Sequence, residues 1–166
     1  MPIEDHFRGA PSRFRFAVVT VSDTRSEESD RGGEHLADLA QSAGHAVTSR
    51  RLVRDEPAAV SEAIAQGLAG EADAVLVTGG TGVSPRDVTF EAAVPLFEKE
   101  LPGFGEIFRA LSYAEIGPAA MLSRAAAGVA RGKAVFLLPG SPAALGLAME
   151  KLILPELGHL LAQARR

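Results

Sequence analysis

The feature that most constrains this chain is a short apolar run, Ala74-Val75-Leu76-Val77, that ends directly on Thr78-Gly79-Gly80-Thr81-Gly82. Four consecutive apolar residues without alternation read as a strand covered on both faces, which is the habit of parallel sheets flanked by helices. Glycines at the exit of such a strand let the backbone turn tightly and bring N–H groups close to a ligand. The loop is not a P-loop, because no Gly-Lys-Ser/Thr follows, and its spacing does not match the dinucleotide fingerprint. Polar residues crowd it: Thr78, Thr81, Ser84 and Asp87.

The rest of the chain repeats the theme. Strands are predicted over residues 14–21 (FRFAVVTV), 46–53, 74–77 and 134–138 (AVFLL). Helices are predicted over 34–43, stopped by Gly44; from Pro57, with Val60, Ile64, Gly67 and Leu68 as its stripe; over 89–97, with Pro95 as an irregularity; and over 104–111. A short helix is expected over 123–129, and the last helices carry Leu145, Met149, Leu152, Leu157, Leu160 and Leu161. Strand and helix alternate, so the expected fold class is α/β, a three-layer α/β/α sandwich on a mainly parallel sheet. Residues 1–13 read as a flexible tail and 14–166 as a single domain.

Composition excludes several functions. The chain has no cysteine, so disulfides and thiolate metal sites are out. The histidines at 6, 35, 45 and 159 have no ligand spacing and read as surface or satisfied side chains. A net charge of −4 offers no overall field for nucleic acid. No apolar leader and no stretch near the ~20 residues of a membrane helix is present, so a cytoplasmic protein with no membrane partner is expected.

Sites in parallel α/β sheets lie beyond the carboxyl ends of the strands. Four loops meet that condition. Ser22-Asp23-Thr24 follows the first strand, Asp55 the second, the glycine loop the third, and Pro139-Gly140-Ser141-Pro142 the last. Each has a plain reading beside a functional one. Asp87 and Asp55 stand where helix caps or strand terminators stand. Ser141 before Pro142 is a capped helix start, or a place where helix N–H groups meet an anion. Two carboxylates beside an anion loop also suit magnesium bridging to phosphates. Arg86, Arg109, Arg124 and Lys133 are candidate cations for anionic ligands, unranked by the sequence.

In combination and order, an Asp-Thr near the first strand, TGGTG with SPRDVTFEA, PGFGEIFRALSYAEIGPAAMLSRAAAGV and LPGSP resemble the MoaB/MogA family of molybdenum-cofactor biosynthesis, across residues 14–160. The segments SYAEIG and SRAAAGVA are closer to the MoaB branch. The resemblance implies a molybdopterin-binding-domain fold and molybdopterin adenylyltransferase activity. AMP passes from ATP to the terminal phosphate of molybdopterin, with magnesium, and pyrophosphate leaves. It implies Asp55 and Asp87 as the catalytic aspartates and magnesium ligands. It implies substrate contacts at the glycine loop of Gly79, Gly80, Thr81 and Gly82 and at the turn of Pro139, Gly140, Ser141 and Pro142, with Ser22, Thr78 and Ser84 beside them. Homotrimers or homohexamers, and contacts with other molybdenum-cofactor enzymes, also follow from it. The alternative is a non-catalytic molybdopterin carrier or scaffold of the same pathway.

Overall fold

The computed structural model describes residues 13–166; residues 1–12, which hold most of the expected tail and His6, lie outside the described residues. The strands are β1 (Arg15–Val21), β2 (Ala46–Val53), β3 (Ala74–Thr78), β4 (Lys99–Glu100), β5 (Ala126–Ala130) and β6 (Lys133–Leu138). They form one sheet in the order β2-β1-β3-β6-β5-β4. β2, β1, β3 and β6 are mutually parallel, β5 runs antiparallel to β6, and β4 antiparallel to β5. The helices are α1 (Arg31–Ser42), α2 (Pro57–Ala69), α3 (Thr89–Ala93), α4 (Pro102–Ile116), α5 (Pro142–Ala148) and α6 (Leu154–Ala164).

Side chains on a strand point alternately to the two faces, and here both faces are apolar. Phe16 and Val18 of β1, Leu76 of β3, and Phe136 and Leu138 of β6 meet α1, α4, α5 and α6 through Leu36, Phe108, Leu145 and Leu157. Val19 and Val21 of β1, Val75 and Val77 of β3, and Val135 and Leu137 of β6 meet α2 and α3 through Val60, Ile64 and Ala93. The three layers follow from this two-sided burial. Gly67 of α2 lets that helix settle on the sheet, since a Cβ there would stand 3.0 Å from Val75. Among the described residues, no helix is long and apolar enough to cross a membrane.

The four predicted strands form where expected, but the helix expected over 123–129 is wrong. Most of that stretch is β5, which forms a hairpin with β6. Alanine-rich residues favour helix locally, yet sheet pairing and burial override so weak a preference. The hairpin turns at Arg131 (φ 54°) and Gly132 (φ 69°), the two positive φ values of a type I′ turn. Gly128 is glycine because Phe97 lies over it; a Cβ would come within 2.3 Å of the ring.

Other boundaries also move. α1 starts at Arg31, earlier than expected, because the Asp30 carboxylate accepts the Gly33 N–H at 2.9 Å and caps the helix. α4 runs from Pro102 to Ile116, longer at both ends than expected. α3 ends at Ala93, and Pro95 falls in a 3₁₀ turn, Val94–Leu96. β4 had no counterpart in the sequence reading.

At the amino edge of the sheet, Asp73 accepts the Arg15 N–H (2.9 Å) and the Arg165 guanidinium (2.9 Å), tying β1 to the end of α6. Burial pushes its carboxyl up, but the hydrogen bonds from Arg165 and Arg15 together draw it below the ordinary range. His45 accepts the Phe14 N–H at 3.2 Å, a satisfied histidine as expected, and burial followed by Arg13 lowers its pKa.

Leu76 has no exposed surface and belongs to the central strand. Leu76→Ala removes buried methyl groups where helices on one side and strands on the other prevent collapse, and should lower unfolding stability by about 3 kcal/mol. Urea unfolding with an unchanged m-value checks it.

Candidate functional site

Parallel β1, β2, β3 and β6 deliver their carboxyl ends to one edge, so the loops after all four lie side by side. The loop after β3 is shaped by glycines without substitutes. Gly79 (φ 92°) and Gly80 (φ 67°) occupy the left-handed region. A Cβ on Gly79 would stand 2.3 Å from the Val21 carbonyl oxygen; one on Gly80 would stand 2.3 Å from Thr89 Oγ1 and 3.0 Å from Asp55 Oδ1. A Cβ on Gly82 would stand 2.7 Å from Asp87 Oδ2. Asp55 therefore closes on the first half of the loop and Asp87 on the second.

The threonines of the loop serve as its frame. Thr78 is buried and its Oγ1 donates to the Pro139 carbonyl at 3.0 Å, joining the β3 and β6 loops. Thr81 is buried, and its carbonyl accepts the Arg124 N–H at 3.1 Å. Thr89 donates its Oγ1 to the Gly79 carbonyl (2.8 Å) and its N–H to the Gly80 carbonyl (3.1 Å). With the loop carbonyls drawn inward, the loop keeps one shape.

Asp87 is no helix cap: Val88 stands at the N-cap of α3, without a side-chain bond. The Asp87 carboxylate instead accepts the Ser84 N–H at 3.0 Å, while the Asp87 N–H donates to the Ser84 carbonyl at 2.9 Å. Ser84 Oγ also accepts the Arg86 N–H at 3.3 Å. One side of this loop opens on a cleft of about 450 Å³ that includes Val83, Asp87, Glu91 and Arg124 in its lining.

Ser22 Oγ accepts the N–H groups of Thr24 and Arg25, both at 3.2 Å. Ser141 does cap α5, its Oγ accepting the Ala144 N–H at 3.3 Å. Gly140, Ser141 and Pro142 are exposed and Pro139 is half-buried; a Cβ on Gly140 would meet open space.

Asp23 is the residue that sequence reasoning named only as part of a strand exit. Its carboxylate accepts the Asp55 N–H at 3.0 Å and the Arg86 guanidinium at 2.5 Å. The Arg86 bond, followed by the Asp55 N–H, holds the Asp23 carboxyl below its usual range. Asp55 goes the other way. Burial, then the negative charges of Asp23 and Asp87, raise its pKa. Three carboxylates thus share this edge with one arginine head among them. The signal for Asp23 was its place after β1; nothing in the sequence told which Asp55 atom it would meet.

The four candidate cations separate clearly. Lys133 donates to the Gly70 carbonyl, beside Asp73 at the far edge of the sheet. Arg109 donates to the carbonyls of Ser123 (3.4 Å) and Ala125 (2.9 Å). Arg124 lies beneath the loop, bonded to the Gly82 carbonyl at 2.8 Å. Arg86 alone of the four has its head among the aspartates.

The fold and this edge define an α/β domain on a mostly parallel sheet, whose strand-end loops bring a glycine turn and three carboxylates together. Residues 17–159 match the family described as "Probable molybdopterin binding domain". The chain is 50% identical over 168 aligned positions to molybdenum cofactor biosynthesis protein B of Bacillus subtilis, covering 100% of this chain and 99% of that protein. A crystal structure of a molybdenum cofactor biosynthesis protein B superposes with a TM-score of 0.90 at 50% identity, covering 95% of this chain and 99% of that one. The tungsten cofactor synthesizing protein MoaB from Pyrococcus furiosus superposes with a TM-score of 0.85 at 40% identity, covering 95% and 100%. The chain belongs to the molybdopterin-binding-domain family of molybdenum cofactor biosynthesis.

Because folding raises the Asp55 pKa, the folded chain binds that proton more readily than the unfolded one. Ionising Asp55 therefore opposes folding as pH climbs above the ordinary value of 3.8. At neutral pH and without ligand, Asp55→Asn should melt higher than the parent. Below pH 3.8 the two curves should converge. Thermal melts across that range check the sign.

Proposed function

We propose that the chain transfers AMP from ATP to the terminal phosphate of molybdopterin, releasing pyrophosphate. The observation that carries the reading is the placement of Asp55 and Asp87 against the two halves of one glycine loop, with mutual repulsion that a cation would relieve. Family membership supplies the pterin; the site's chemistry supports the nucleotide.

The terminal phosphate of molybdopterin is a monoester with a second pKa of ~6, so it is mostly ionised at neutral pH. It needs positioning and charge neutralisation more than a general base. One of its oxygens forms a bond to the α-phosphorus of ATP. The bond from that phosphorus to the bridging oxygen breaks, and pyrophosphate departs with the electron pair. Asp55 and Asp87 would orient the phosphates through a magnesium ion. Magnesium, when bound, withdraws charge from the phosphoryl oxygens.

The donor set fits such an ion. Oxygen ligands suit magnesium, which is typically held by one or two carboxylates plus substrate phosphates. Among the described residues, no group of three or more His, Cys, Asp or Glu is placed to hold a metal by itself. An ion carried in on the triphosphate matches that. Arg86, with its side chain 71% exposed, would exchange its partner Asp23 for a phosphate oxygen.

The same reading makes the protein a homotrimer or homohexamer. Ile107, Tyr113, Ile116, Met121 and Leu122 leave apolar surface exposed along α4 and the turn after it, which supports self-association.

Asp87→Ala should lower AMP transfer to molybdopterin by roughly 1000-fold, the scale for losing an electrostatic group at the reacting centre. Its melting temperature should stay close to the parent's, because the carboxylate bonds only within its own exposed loop. Turnover near the parent's sinks the assignment. Heat of molybdopterin binding with no turnover in the parent protein marks a carrier instead. A further expectation concerns assembly. Ile116→Asp combined with Met121→Asp should reduce the mass seen by light scattering, and an unchanged mass removes this band from the interface.

A further inference from the structure

The loop that presents Asp87 is gripped by one residue from a distant part of the sequence, through its backbone N–H and its side chain. Arg124 immediately precedes the β5 region and reaches beneath the loop. Its N–H donates to the Thr81 carbonyl at 3.1 Å, its Nε to the Gly82 carbonyl at 2.8 Å, and its Nη2 to the Asp87 carbonyl at 3.1 Å. The guanidinium also forks onto Glu91, with Nη1 bonded to Oε1 and Nη2 to Oε2 at 3.3 Å. Its Cζ lies over the Phe90 ring, 5.5 Å from the centroid.

We propose that Arg124 is a positioning residue for adenylyl transfer, acting through the backbone of Asp87; this rests on the function proposed above. Gly82 and Asp87 are the two ends of the functional loop. The stretch between them has its own closure, with the Ser84 N–H on the Asp87 carboxylate and the Asp87 N–H on the Ser84 carbonyl. That closure shapes the loop but does not anchor it. Residues 83–86 are all exposed. The anchor is the planar guanidinium, which spans both loop ends at once.

Arginine's geometry is the reason. Guanidinium offers five donors in a fixed fork and stacks on aromatic rings, while an ammonium is a point charge. Lysine at this position could meet one carbonyl or Glu91, but not Gly82, Asp87 and Glu91 together. Glu91 in turn orients the fork, and Arg124 holds its carboxyl below the usual range. The carbonyl bonds, not a ligand contact, define the role. The Arg124 head is committed beneath the loop, so it does not serve as the substrate cation.

The test compares the parent with Arg124→Lys and Arg124→Ala, in steady-state AMP transfer to molybdopterin with magnesium titrated, and by hydrogen exchange. Both variants should lose kcat, roughly 100-fold in Arg124→Ala, as expected when a reacting group is misplaced by about 1 Å. The magnesium concentration for half-activity should rise about 10-fold, the scale for losing support behind a metal ligand. KM for molybdopterin should change little. Added guanidinium should restore part of the Arg124→Ala rate and leave Arg124→Lys unaffected. Amides 82–88 should exchange faster in both variants, while β1, β3 and β6 keep the parent's protection. A parent-like kcat and magnesium dependence per folded molecule overturns the proposal. So does faster exchange spread over the whole sheet, which marks a stability role alone. If the parent itself shows no AMP transfer, the proposed function fails; the exchange measurement then decides the clasp, which is lost if amides 82–88 keep parent protection.

Discussion

The approach of Gly79 to the Val21 carbonyl governs the site. β1 and β3 are neighbours in the sheet, and the chain leaving β3 must pass under the end of β1 before it can turn. The 2.3 Å separation that a Cβ would have from the Val21 oxygen leaves no space for any side chain, and the φ of 92° suits only glycine. From that crossing the chain reaches Gly80 beside Asp55, then Gly82 beside Asp87. Threonines lock it, Thr78 to the β6 loop and Thr89 to the turn itself. A loop built this way has its turn fixed by glycine geometry and by threonine hydrogen bonds.

The charge arrangement at this edge works against the fold. Asp55 is pushed up by burial and by two other carboxylates, while Asp23 is drawn down by Arg86. Arg86 offsets only part of this negative cluster, and Asp55 keeps no cation bonded to its carboxylate among the described residues. At the opposite edge the logic reverses, and Asp73 is matched by two arginines that fasten the chain ends of β1 and α6. At one edge the carboxylate is fully matched by arginines; at the other a single arginine is set among three carboxylates.

The strands were legible because each is an apolar run bounded by turn residues, and two-sided burial leaves that mark directly. The segment around Ala126 was not. Its alanines suit either state, and the hairpin that makes it a strand turns on Arg131-Gly132, a pair without the usual Asn-Gly signature. The partners of Arg124 were hidden with it: the sequence offers this residue only as an unranked cation for an anionic ligand, whereas at the entry to β5 it meets Gly82, Asp87 and Glu91. The α1 boundary failed differently. Asp30 precedes the predicted start by four residues, and only the fold brought Thr20 and Arg50 against its carboxylate.

By itself the sequence determined the alternation of strands and helices, the loop-bearing carboxyl edge, and the chemical character of its residues. These depend on local pattern: periodicity, glycine and proline punctuation, and residue type. The tertiary structure decided which groups meet. It placed Asp23 between Asp55 and Arg86, freed Asp87 from a capping role, sent Lys133 to the other edge and set Arg124 beneath the loop. Those contacts join residues tens of positions apart, and their energies come from burial and pairing that exist only once the sheet has formed.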